Sequence, residues 1–311
     1  MPIEHMPKGG LPDPIDERDY KIEVVGELPP IDWNKGSGLQ IPPIALDQGT
    51  SDTCGPHATT KYHWQLKRKD FSVRDLAARV MLPTYGSFVR DNIMAIVNQG
   101  QATKDEVPDP QHPTPQNMRD KTGVTPEKES DDREVNGFVI NARDIETCGR
   151  AIAAYRGVVL GLYGTNEGWR NMEVPEPPKG AVPLDIASRP EIWGHLLYAN
   201  DWHLHNGEKC IIAPASWPEV QVHHIRERYF KQGWTFNPWT LIPKEQTSMI
   251  QLIRDKGTVY MVAGNNRKVK TGIADQAVID ALFGDEEIKD GDTSSIPQSQ
   301  TAASGFVIHK V

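Results

Sequence analysis

Two hydrophobic periodicities divide the chain near its middle. Between residues 54 and 100 the larger apolar groups recur at helical spacing, Tyr62 and Leu66 with Trp64, then Val89, Ile93, Ile96 and Val97, which predicts half-buried helices. Ser72 followed three residues later by Asp75 predicts a capped helix start, and Gly100 a helix end. Pro56 falls in the first turn of the helix expected after Cys54, where a missing N–H costs nothing. Residues 145 to 155 read as one more helix. After it, short apolar runs at 157–163, 194–199 and 209–213 predict strands. The front half is thus mainly helical and the back half mainly strand.

The flanks have a different character. Residues 1–45 are rich in Pro, Gly and charge, with 11–20 expected as an extended arm lying across a domain surface and Ile31-Asp-Trp-Asn34 as a short anchor. The polar stretch 106–132 carries no regular pattern. Beyond about residue 241 we expect a linking helix at 244–254, an alternating strand at 257–263, a turn at 264–267 into 268–270, a helix at 273–283, a polar link at 291–303 and a closing strand at 305–311. These divisions predict an arm (1–30), a main domain (31–243) and a small α+β C-terminal unit (244–311). Trp234, Phe236 and Trp239 read as the seam on which that unit packs.

Composition narrows the function. A chain of 311 residues with 34 basic and 42 acidic side chains, net charge -8, is a poor match for a phosphate backbone, so nucleic acid is not an expected partner. Cys54, Cys148 and Cys210 have neither disulfide-framework nor zinc spacing, and Asp285-Glu-Glu287 with Asp290 and Asp292 lacks a calcium-loop spacing; no metal or cofactor is implied. No apolar run has the length of a signal peptide or a membrane helix, so neither export by the usual route nor membrane insertion is expected; this leaves the cytoplasm of the producing cell or a virion as the location.

One stretch carries chemistry. Asp47-Gln48-Gly49-Thr50-Ser51-Asp52-Thr53-Cys54 sets a carboxamide six residues before a cysteine that opens a helix. Helix N–H groups and the macrodipole favour a thiolate there, Gly55 admits close approach of a substrate, and Gln48 with the Cys54 N–H would donate to an oxyanion. Spacing alone equally allows a small buried hydrophobe beside a surface glutamine.

The segment resembles the nucleophile region of papain-like cysteine peptidases, especially a bacterial and phage branch reading Asp-Gln-Gly-Ser-Leu-Gly-Ser-Cys. Phe88 to Glu106-Val-Pro108 is similar to the helix and extended segment of that family, residues 157–163 to the first strand of its second lobe, and Trp193-Gly-His195-Leu-Leu-Tyr198 to the strand with the catalytic histidine. The resemblance spans residues 30–225. It implies an α+β fold with a helical front lobe and an antiparallel-sheet rear lobe, and Cys54, His195 and Gln48 as the catalytic set, with Gly55, Gly161, Tyr163, Trp193 and Trp217 bordering a groove for a polypeptide or wall-peptide substrate.

Of the other histidines, His57 and His63 lie on the helix after Cys54, and His203, His205, His223 and His224 read as a surface or packing cluster. The third position departs from the family: Pro214-Ala215-Ser216-Trp217 keeps Ser-Trp but has alanine where an orienting asparagine belongs. Asn200, Asp201 or Asn206 would then reach the imidazole, or a Cys-His pair works alone. About fifty residues precede Cys54, so no folded pro-region is expected over the site. The alternative is a virion or tail component whose papain-like core is a scaffold of reduced or no activity, with other virion proteins as partners; the C-terminal unit is weakly similar to modules of phage and cell-wall proteins.

Overall fold

The computed structural model of the chain describes residues 8–16, 19, 21–22, 28–39, 42, 47–124 and 136–242, and strand backbone at 250–255, 258–263, 269–273 and 289–290. In chain order the elements are β1 (Gly10–Leu11), α1 (Cys54–Lys67), α2 (Val73–Val80), β2 (Ser87–Phe88), α3 (Val89–Asn98), α4 (Pro115–Met118), β3 (Asn136–Val139), α5 (Ile145–Tyr155), β4 (Val158–Gly164), β5 (Trp193–Ala199), β6 (Asp201–His205), β7 (Glu208–Pro214), β8 (Val222–Arg226), α6 (Glu227–Lys231) and β9 (Thr235–Ile242). Then come β10 (Ile250–Asp255), β11 (Thr258–Ala263), β12 (Val269–Ile273) and β13 (Lys289–Asp290), which form a sheet of order β12-β11-β10-β13. Among the described residues no helix is long and apolar enough to cross a membrane.

The helix signals act as expected. Cys54 opens α1, the Ser72 hydroxyl accepts the Asp75 N–H at the start of α2, and Gly100, with φ of 81°, follows α3. Helix α1 is buried along almost its whole length because it lies between layers. Its stripe Cys54, Ala58, Tyr62 and Leu66 joins Leu76, Val89, Ile93 and Ile96 in the front core.

The antiparallel sheet β3-β9-β4-β5 divides its side chains by the period of two. Val159, Leu196, Tyr198, Phe236, Trp239 and Leu241 enter the front core, whereas Leu160, Leu162, Leu197 and Ala199 enter the rear core with α5 and the sheet β6-β7-β8. The result is an α+β protein with a helical front lobe and an antiparallel rear lobe, as the sequence predicts.

Several expectations change. Trp234, Phe236 and Trp239 belong to the main domain: Trp234 leads into β9, the strand between β3 and β4, and all three are buried in its cores. Residues 250–254, expected as helix, are strand, as is Ile273; the rest of the expected linking helix, the 264–267 turn, the rest of the 273–283 helix and everything after 290 lie outside the described residues.

Gly161, expected to border a groove, is instead packed beneath Phe236, where an added Cβ would enter the ring's van der Waals envelope. Gly161→Ala is expected to destabilise the fold by about 1–3 kcal/mol through overpacking, read as a lower urea midpoint at unchanged slope.

Candidate active site

The loop before α1 is held from three sides. Gly49 takes φ of 56° with Pro113 closely packed on it, Arg119 forks onto the Asp52 carboxylate at 3.0 and 2.6 Å, and the Gly86 N–H donates to the same carboxylate at 2.6 Å. Gln48 is buried; its backbone N–H donates to Ser216 O across the lobes at 3.1 Å, and its side-chain amide donates to Ser51 O at 3.1 Å. Gln48 therefore stands in the loop that leads to Cys54, with its amide engaged by that loop.

Cys54 is fully buried at the start of α1. Its sulfur accepts the backbone N–H of Leu196 at 3.4 Å, the residue after His195, so the front-lobe thiol lies against the rear-lobe strand β5. Lys61, two turns further along α1, reaches the same side: its buried ammonium donates to Pro214 O at 3.1 Å, to Ser216 Oγ at 3.0 Å and to Ala215 O. Burial pulls the Lys61 pKa down to about 7.

His195 is also fully buried, and its ring stacks on Trp217 at 4.4 Å with Trp169 and Trp193 edge-on at 5.9 and 6.5 Å. Neither ring nitrogen has a hydrogen-bond partner among the described residues. Burial, reinforced by His223 and Lys61, holds its pKa well below the ordinary imidazole value. The sulfur thus meets the backbone of the residue after His195 and not the imidazole, which stacks among Trp217, Trp169 and Trp193.

The proposed orienting groups go elsewhere. Asp201 accepts the N–H of Ser37 and of Trp202, Asn206 (φ of 51°) turns β6 into β7, and the Asn200 backbone bonds Ile212 O and the Ser37 hydroxyl. The group beside His195 is His223, which the sequence reading put in a surface or packing cluster. The alternation of Val222-His-His-Ile-Arg226 turns His223 and Ile225 inward, and His223 pairs with Ala213 on β7, near Ala215. Its ring is perpendicular to that of His195 at 6.5 Å. Its Nδ1 is 2.6 Å from Met172 O, which makes it the donor and leaves Nε2 as a buried acceptor with no partner among the described residues.

The N-terminal arm runs between the lobes. Gly9 donates its N–H to Gly194 O at 3.3 Å and accepts the Ser87 N–H at 3.0 Å, and β1 pairs in parallel with β2. Both glycines are required by close approach: a Cβ on Gly9 would collide with Asp52 O, and one on Gly10 would lie 2.8 to 3.0 Å from the His195 backbone. Further along, Asp13 accepts the Arg90 N–H at 2.9 Å and the Trp239 indole N–H at 2.9 Å, its own N–H donates to Asn237 Oδ1 at 2.8 Å, and Arg90 pairs with Asp19. The expected surface arm is therefore in part a buried strap beside Cys54 and His195.

No protein-family model matches the sequence, and no curated protein does. Solved structures do match. Xylellain, a cysteine protease from Xylella fastidiosa, aligns with TM-score 0.58 at 17% identity over 77% of this chain and 97% of its own. Digestive procathepsin L 3 of Tenebrio molitor aligns at 0.53, with 12% identity over 78% and 77% of the two chains, and procathepsin B S9 of Trypanosoma congolense at 0.52, with 13% over 76% and 87%. The chain has the papain-like cysteine-protease fold.

In this papain-like chain the thiolate expected from the helix dipole is not the resting form. Burial pushes the Cys54 thiol up to about 12, with Asp52 adding to the rise, and outweighs the N–H groups of the helix start. Of the expected groove residues, Gly55 is packed by Ser87, Asn92 and Leu196, and Tyr163 lies half-buried against Phe236. Trp217 forms the wall on His195, and Trp193 borders an open cavity of about 600 Å³ shared with Lys8, Asn166 and Glu191.

Iodoacetamide at pH 8 is expected to label Cys54 of the intact chain as slowly as the buried Cys148 and Cys210, and faster once Arg90→Ala loosens the arm; peptide mass mapping reads the rates. Burial raises the Asp13 carboxyl from 3.8 to about 6 although Arg90 and Trp239 donate to it. A carboxyl with a higher pKa docked than free favours docking below the free value, and that contribution is lost as pH rises through about 6. Hydrogen exchange of residues 8–16, corrected for intrinsic rates, is expected to be better protected at pH 4.5 than at 7.5, and Asp13→Asn to remove the difference.

Proposed function

We propose that the chain is a latent cysteine peptidase, with Cys54 as nucleophile and His195 as the base and then acid. The observation that carries this reading is the Leu196 N–H on the Cys54 sulfur, because it brings a helix-opening thiol to the strand residue next to an imidazole. Freed of the arm, the seam admits water and an extended polypeptide, whose backbone takes the Ser87 N–H and the Gly194 carbonyl now used by Gly9. Hydration lowers the thiol pKa, and His195 withdraws the proton. The sulfur attacks the scissile carbonyl, the Cys54 N–H and the Gln48 amide hold the oxyanion, and His195 returns the proton to the leaving amine. Water, deprotonated by His195, then hydrolyses the thioester. Each oxyanion donor contributes about 3–4 kcal/mol.

His223 takes the place of the missing asparagine in this proposal. Burial draws its pKa down to about 4, so it stays neutral, and its free Nε2 is an acceptor for one His195 N–H, leaving the other nitrogen for Cys54. Ala215 makes room for that ring. A second reading, a dormant scaffold in a virion or cell-wall assembly, draws on the neutral, closed state of the Cys-His pair.

The arm-loosened Arg90→Ala chain is expected to cleave an unstructured protein such as casein, Cys54→Ala in that background to abolish cleavage, and His223→Ala to lower kcat about 10- to 100-fold with little change in KM. Casein left intact by the arm-loosened chain, with the fold retained, favours the scaffold.

A further inference from the structure

On the opposite face of the β6-β7-β8 sheet from His195 lies a second group of imidazoles. His203 and His205 are two residues apart on β6 and therefore share a face, and His224 comes from β8, with β7 between them. On β7 the positions opposite His203 and His224 are Cys210 and Ile212, so the rings approach diagonally across a strand kept low at Cys210. One nitrogen from each of the three rings lies within 4.8 Å of the other two. His224 Nδ1 and His203 Nε2 are already 2.9 Å apart, sharing one proton.

We propose that His203, His205 and His224 form a binding site for a borderline divalent transition ion of the zinc class, set between His203 Nε2 and His224 Nδ1 with His205 as third ligand and a water completing the shell. Three neutral nitrogen donors with no carboxylate in the set suit zinc, copper or nickel and not calcium or magnesium. Ligand atoms on a tetrahedral zinc lie roughly 3.3 Å apart, so the 4.8 Å spread closes by small ring rotations.

A separate observation supports the ligating atom on His224. Its other nitrogen, Nε2, is 3.8 Å from the Glu173 carboxylate, and its backbone N–H is bonded to Glu173 O at 2.7 Å. A carboxylate on the side of the far ring nitrogen favours the tautomer with Nε2 protonated and Nδ1 free for metal, and closing that gap by about 1 Å would make it the outer hydrogen-bond partner of the ligand. Spacing along the chain hid the set, because the third ligand follows on a strand whose register appears only in the fold.

Titration calorimetry of the full chain with zinc chloride tests the proposal. One equivalent is expected to bind; His203→Ala or His224→Ala is expected to weaken it at least about tenfold, while His112→Ala leaves it unchanged. With the unmodified chain, zinc is expected to shift the ring resonances of His203, His205 and His224, and cobalt to give d–d absorption without a thiolate charge-transfer band. Failure of zinc to bind in the millimolar range, equal affinity in the variants, or a thiolate band that places the ion on a cysteine overturns the assignment.

Discussion

Helix α1 lying across β5 is the contact on which the rest of the molecule depends. The helix presents Cys54 to the Leu196 N–H at its start, Lys61 to the Pro214 and Ala215 carbonyls and the Ser216 hydroxyl in its middle, and the Tyr62 hydroxyl to Thr240 and Leu241 of β9. One rigid element thereby sets the Cys54 thiol, the end of the strand before Trp217, and the centre of the sheet. A polar side chain so deeply buried is tolerated only with its partners in place, and Lys61 has three oxygens. Shifting α1 by one residue would orphan that ammonium as well as displace the thiol.

The closed state is a contest between two effects at one atom. The helix start favours a thiolate; exclusion of water favours the thiol, and with Gly9 and Gly10 against Asp52 and His195 exclusion wins. Strand-like pairing of the arm occupies the Ser87 N–H and the Gly194 carbonyl, the backbone groups that the proposed peptidase would offer to an extended substrate, so in that proposal arm and substrate compete. The arm has an exposed weak point at Ile15, between the Asp13 and Asp19 anchors, where cleavage would detach the buried glycines.

What the sequence made legible follows from local physics. Periodicity located α1, α3 and α5, capping chemistry located α2, and the Gln-to-Cys spacing with the Gly-His strand pointed to the seam between the lobes. Strand β9 was misread because Trp234-Thr-Phe-Asn-Pro-Trp239 contains a proline and a left-handed Asn237 (φ of 42°), where the β4–β9 register shifts; a bulge breaks the alternation that marks a strand. His223 was missed because its neighbours are assembled by pairing with β7 and by the stack on Trp169, neither of which leaves a mark in spacing. The strap was missed for a related reason: Gly9 and Gly10 are two residues of a Gly- and Pro-rich segment until the Asp52 and His195 backbones stand against them.

The central claim is a working partnership between Cys54 and His195 across the α1–β5 seam. The most direct measurement is covalent capture: the arm-loosened chain is treated with a peptidyl vinyl sulfone at neutral pH and the adduct mapped by mass spectrometry, with and without His195→Ala. The account predicts a single adduct on Cys54 that forms rapidly and is lost, or slowed by orders of magnitude, when the imidazole is removed. An adduct that forms equally well without His195, or none while the seam is open to small thiol reagents, would contradict it.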